Sequence, residues 1–205
     1  MNRDRCETER RIVRAAGKLL AEEGFQGLGV NALARRAGVD KVLIYRYFGG
    51  LPGVIRRYAR DDFWPTTEDL FGRPREEVAA MDDSQIAISL LLGHLRELTA
   101  RPITQDIMRR ELMEKDELTD ALAEARESTT EELMTLFSEQ SRAQGDLAAV
   151  GAVIHAGISY LVLRAKTADV YMGVALDTDE GRARIEQAVR DLIGAYFAHR
   201  KGNGE

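Results

Sequence analysis

"RRAGVDKVLIYRYF", Arg35 to Phe48, sets a glycine turn in front of eight residues that carry two cations and two phenols. Gly38 accepts the left-handed conformation that ends a helix, and Asp40 is a good N-cap for the next one. The pattern predicts a short helix over "VNALARRA" (30–37) and another over "KVLIYRYF" (41–48). Two short helices joined by such a turn describe a helix-turn-helix. On the second, Ile44 and Phe48 fall on one side and define its core face. The opposite side presents Val42, Leu43 and Arg46, with Tyr45 and Tyr47 flanking it and Lys41 at the start. Aliphatic groups beside a guanidinium are out of place on a solvated helix. They suit a major groove, where apolar groups meet thymine methyls and Arg bonds guanine. Tyrosine hydroxyls suit phosphate oxygens. On the preceding helix, Asn31 and Arg35 point away from the core, where a first helix crosses the DNA backbone.

Outward from this stretch the chain reads as helix after helix. "RCETERRIVRAAGKLLAEEGF" has apolar residues at helical spacing up to a stop at Gly24. Gly49 and Gly50 close the second short helix, and Pro52 sits in the first turn of a connecting helix over 51–64. Beyond Trp64, long helices are expected over "SQIAISLLLGHLRELTA", over 116–143 as one continuous run, over "LAAVGAVIHAGISYLVLRAKT", and over the C-terminal segment. No segment alternates with period two. The expectation is an all-α chain of nine to ten helices without a sheet. Its domains are a helix-turn-helix domain (1–50), a connecting helix (51–64) and an effector-binding and dimerisation domain (65–205).

Charge is divided unevenly along the chain. Residues 1–60 hold 13 Lys/Arg against 6 Asp/Glu, whereas the chain as a whole has a net charge of -5. A basic N-terminal third on an acidic protein suggests that the first part meets a polyanion. The single cysteine, Cys6, excludes an intrachain disulfide and fits a reducing, cytoplasmic setting. The N-terminus has no apolar core for a signal peptide. The uncharged run Leu147 to Leu163 contains His155, Ser159 and glycines, and reads as a buried helix rather than a membrane span.

The stretch from about Glu9 to Phe63 resembles the DNA-binding domain of the TetR family of one-component transcriptional regulators. It shares a helix ending in "EEGF" and then "VNALARRAGVDKVLIYRYF", with its aliphatic-Ala pair, "AGV", and tyrosines ahead of the closing Phe48. The resemblance implies that Lys41, Val42, Leu43 and Arg46 lie near bases, and that Tyr45 and Tyr47 lie at phosphates or base edges. Two departures stand out. Leu28 and Gly29 occupy the place of a capping Thr or Ser, and Leu51 that of a Lys after the recognition helix. A shallower salt dependence of DNA binding is therefore expected, with Arg10, Arg11 and the arm residues Arg3 and Arg5 as possible replacements.

A unit this small reads too few bases alone, so a dimer on paired half-sites is expected. Candidates for its interface are Gly151, Ala152, Ile154, His155, Ile158 and Leu161 on one helix, and Ile185, Val189 and Leu192 on the last. Pairing these into a four-helix bundle is what the resemblance implies. Either helix could instead complete the core of a single chain. Trp64, Phe71, His94, Met108, Met113, Phe137 and Tyr160 are candidates to line an effector pocket, or else plain packing residues. No nucleophile–base pair, phosphate loop or metal-ligand spacing is present, so neither enzyme, cofactor nor metal is expected. The function expected is a repressor that binds a palindromic operator as a homodimer and is released by a small-molecule effector. An activator or architectural member of the same fold, or a helical interaction protein without DNA binding, are the alternatives.

Overall fold

The computed structural model describes residues 2–113, 115–143 and 146–202. The helices are α1 (Asn2–Glu23), α2 (Val30–Ala37), α3 (Lys41–Phe48), α4 (Leu51–Tyr58), α5 (Thr67–Phe71), α6 (Arg75–Val78), α7 (Asp83–Ala100), α8 (Pro102–Met113), α9 (Glu117–Met134), α10 (Glu139–Ala143), α11 (Leu147–Arg164) and α12 (Asp179–Gly202). Three of them, α5, α6 and α10, span five residues or fewer, too short to show a period in sequence. Among the described residues the fold is all-α apart from one antiparallel hairpin, β1 (Val170–Tyr171) with β2 (Val174–Ala175). Its turn residues, Met172 (φ 48°) and Gly173 (φ 78°), both have positive φ, the requirement of a tight two-residue hairpin turn. Strands of two residues leave no alternation to detect, which is why no sheet was expected.

Two compact units emerge: Met1–Trp64 with Asp106–Thr130, and Pro65–Gln105 with Glu131–Glu205. In the first, Ile12, Ala16 and Leu19 of α1 are buried together with Leu33, Ile44, Val54 and Ile55. Ile107 of α8 and Leu122 of α9 are fully buried in the same unit. Helix ends fall where local chemistry places them. Asp40 Oδ1 accepts from the Val42 amide at 2.8 Å, satisfying one of the amides that a helix start leaves without a partner. Asp40→Ala is expected to lower unfolding stability by about 1 kcal/mol, read as a shift in the urea midpoint without a change in slope. After Tyr58 the helix widens over Ala59–Phe63, where the Trp64 amide donates to the carbonyl of Ala59, five residues back, at 3.1 Å.

The second unit is organised on α7. Asp82 and Gln85 form a reciprocal cap at its start, each side chain accepting from the other's amide, at 2.8 and 3.0 Å. Its buried face (Ile86, Leu91, Leu95, Leu98) belongs to a core with Ile158, Leu163, Val189 and Ile193, and α5, α11 and α12 pack against it. The continuous helix expected over 116–143 is broken between Met134 and Glu139. Ser138 explains the break: its amide donates to Asp83 Oδ1 at 3.1 Å, and its hydroxyl bonds the same carboxylate and caps the amide of Ser141. Phe137 beside it is buried. A tertiary hydrogen bond and an aromatic anchor override local helix propensity. The second correction concerns α11. By length and composition it could cross a membrane, and it was read as a buried helix, yet only 22% of it is buried in the single chain.

Candidate nucleic-acid interface

The turn between α2 and α3 is fixed from several directions. Gly38 lies at φ 62°, ψ 42°, a left-handed conformation that side-chain-bearing residues rarely adopt. Its carbonyl accepts from Arg11 Nη2 at 3.2 Å. The Val39 amide returns to Ala34 O at 3.0 Å, and Asp40 caps α3. Arg11, considered as a replacement phosphate contact, is thus held as a brace of the turn. That role depends on a pairing 27 residues away in sequence and has no local signature.

Held this way, α3 buries Ile44 completely and leaves Phe48 half-buried. Val42 is 61% exposed and Tyr45 55% exposed, while Lys41 and Arg46 are also exposed and Leu43 and Tyr47 half-buried. On α2, Asn31 and Arg35 are exposed. Several other cations of the first unit have acidic partners: Arg36 with Glu22, Arg56 with Glu124, Arg57 with Asp61, and Arg5 with Glu9, whereas Arg10, Arg14 and Lys18 on α1 show none among the described residues. The Arg36 hydrogen bond holds the Glu22 carboxyl below its usual range. Arg35, Lys41 and Arg46 have no such partner among the described residues. Arg5 also lies over the Tyr47 ring, 5.1 Å from its centroid; the side chain of Arg3 falls outside the described residues. The α2 N-cap is Gly29, in ordinary extended conformation and without a side-chain hydrogen bond, and Leu28 beside it is buried.

The candidate pocket residues separate into the two units. In the first, Trp64 has Arg126 at 5.6 Å from its ring centroid, Met108 is buried and Met113 is 84% exposed. In the second, Phe71 is buried in the core, and Phe137 lines a cavity of about 300 Å³ with Val78, Met81, Ile86 and Leu136. Tyr160 is 48% exposed and meets Tyr171 edge-on at 5.2 Å. Met113 and Tyr160 are thus exposed in the single chain. His94 is a core residue, its Nε2 at 2.9 Å from Ser159 Oγ and its ring stacked on His155 at 3.9 Å. Burial, with the neighbouring His155 second, lowers its pKa to about 3.

The candidate interface residues also divide. Ile158 and Val189 are buried within the chain and belong to its own core. Leu161 and Ile185 line a second cavity, and His155 is engaged with His94. Gly151 and Ile154 are half-buried; Ala152 and Leu192 are exposed, as are Val153, Ala156 and Gly157 beside them. Cys6 is exposed. Among the described residues, no group of three or more His, Cys, Asp or Glu stands together as a metal site.

Residues 12–50 match the family model of bacterial regulatory proteins, tetR family. No curated protein matches the chain. Among solved structures, the chain is similar to the fatty acid degradation regulator FadR from Bacillus halodurans (19% identity, TM-score 0.59, covering 91% of this chain and 94% of that one). It is also similar to a TetR transcriptional regulator from Rhodococcus sp. RHA1 (13% identity, TM-score 0.57, covering 93% and 94%). A third is a TetR-family regulator from Rhodococcus sp. (19% identity, TM-score 0.57, covering 91% and 99%). At these identities the likeness speaks for the fold. The helix-turn-helix at the head of this chain thus lies within the stretch that matches the family model of bacterial regulatory proteins, tetR family.

Proposed function

We propose that the protein is a cytoplasmic transcriptional repressor that binds a palindromic operator as a homodimer and is released by a small molecule in its C-terminal helical domain. One observation carries the DNA-binding part. The face of α3 combines exposed aliphatics with Tyr45 and Arg46, and its cations have no acidic partner among the described residues, whereas Arg5, Arg36, Arg56 and Arg57 of the same unit are paired. In this reading Arg46 and Lys41 contact base edges with Val42 and Leu43 on thymine methyls, Tyr45 and Tyr47 take phosphates, and Asn31 and Arg35 hold the backbone. Selection of operators from random duplexes at two salt concentrations tests it; a protein that enriches no palindrome at low salt is not this regulator.

The dimer is supported by the bare face of α11. Ala152, Val153, Ala156, Gly157 and Tyr160 are exposed at helical spacing, and Leu192 of α12 is 58% exposed. Small residues let a second helix approach closely, as a bundle across a two-fold axis requires. Val153→Glu is expected to shift the protein from dimer to monomer in sedimentation equilibrium, because a carboxylate would be buried without a partner at the seam. A dimer that survives this change places the interface elsewhere.

A further inference from the structure

A cavity of about 160 Å³ lies in the second unit, bounded by α7, α11, β2's flank and α12. Its volume is close to that of an engineered protein cavity that admits benzene, about 150 Å³. The wall is aliphatic: Leu95, Leu161, Val162, Leu176 and Ile185. Two polar residues line it, and their donors are already engaged. The Thr99 hydroxyl donates to Leu95 O at 2.7 Å, and Gln105 Nε2 donates to Leu98 O at 2.7 Å and Thr99 O at 3.2 Å. The only charged lining residues are Lys166 and Arg182, both exposed and both cationic. Asp179 and Glu180 in the first turn of α12 are exposed and outside the lining.

The site is a half-open cleft whose hairpin wall is fixed by local structure. Leu176 is held by its amide's 2.8 Å bond to Asp169 O across the hairpin. Gly181 permits α12 to seat against the hairpin, since a Cβ there would stand 1.6 Å from Ala175 O. Apolar walls, interior donors already engaged and cations confined to the rim define an orientation. A ligand must insert a compact apolar body and leave an anionic end at the mouth. We propose that this cavity binds a small free carboxylate with a ring or branched body of benzoate size, its carboxylate meeting Lys166 and Arg182. The effector reading of the C-terminal domain underlies any consequence for DNA, but the binding itself stands apart from it.

Isothermal titration of the full chain without DNA tests the site, with benzoate as probe and benzamide as its neutral isostere. Benzoate is expected to bind at least fivefold more tightly than benzamide. Lys166→Gln with Arg182→Gln, both at exposed positions, is expected to erase that preference while leaving benzamide binding unchanged. Ala165→Leu, at another lining position, is expected to weaken both ligands at least tenfold with the thermal midpoint retained. Equal affinity for the two probes, or benzoate binding indifferent to either variant, overturns the proposal. Because no DNA is present, failure here leaves operator binding intact, and an inert operator leaves this result intact.

Discussion

Replacing both Lys41 and Arg46 by alanine is expected to weaken operator binding at least thirtyfold, with thermal stability nearly unchanged. Both side chains project from α3 into solvent, so their removal opens no cavity. A bidentate contact to a base contributes about 1–3 kcal/mol, and a two-fold complex loses it twice. Even the low end, about 2 kcal/mol per dimer, corresponds to roughly thirtyfold in affinity. Salt dependence separates such base contacts from contacts to phosphate. A cation on phosphate contributes about 0.9 to the slope of log affinity against log salt. On base edges, Lys41→Ala and Arg46→Ala each relax sequence preference at one position of each half-site, whereas loss of a phosphate contact, as for Arg35→Ala, flattens that slope by about 1.8 per dimer. Fluorescence anisotropy with the selected operator and point variants of it, over a salt series, reads both. Unchanged affinity in the double variant would remove α3 from the interface.

Stability should also fall as the solution is acidified from about pH 6.5 to pH 3, and His94 is expected to account for a large part of the fall. In the folded chain burial lowers its pKa from 6.5 to about 3. The sign follows from proton counting. Below pH 6.5 the unfolded chain takes up a proton that the folded core refuses, so the unfolded state binds more protons and gains as pH drops. Each pH unit in this window removes up to about 1.4 kcal/mol, and the whole shift amounts to about 5 kcal/mol. The like charge of His155, stacked on His94, is the second cause of that lowered value. Carboxylates such as Asp116, held low by the Thr119 amide, contribute in the same direction, so the comparison with a variant isolates the imidazole. His94→Gln keeps an amide able to reach Ser159 and has nothing to titrate. Urea unfolding at pH 7, 6, 5 and 4 should show wild type losing ground to H94Q with every step down. Parallel curves would mean that the imidazole is charged or hydrated in the fold.

What the sequence made legible was governed by neighbours a few residues apart. Gly24, Gly38, Asp40, Gly49 and Pro52 mark helix boundaries through their own backbone chemistry, and the boundaries fall there. Ile44 on the inner face of α3 follows from period alone. The features that escaped depend on distant partners or on very short elements. Asp83 stops the helix ahead of Ser138 from 55 residues away. Residues 106–130 pack with the N-terminal unit, which no linker composition announces. The hairpin at 170–175 has two residues per strand. Lys166, Arg182 and Gln105 meet at one cavity only through the packing of three helices, and nothing in their spacing brings them together. The apolar faces of α11 and α12 were visible, but which residues serve the chain's own core and which stay bare is decided in three dimensions.

The uncovered side of α11 has a thermodynamic corollary. If a second copy covers it, folding and association are one equilibrium, and the melting temperature becomes a function of how much protein is in the tube. Dilution would then act as a denaturant, and a cell holding few copies would keep some of them half-assembled and open to proteases. For such a molecule, abundance itself would set how much of it is competent to regulate.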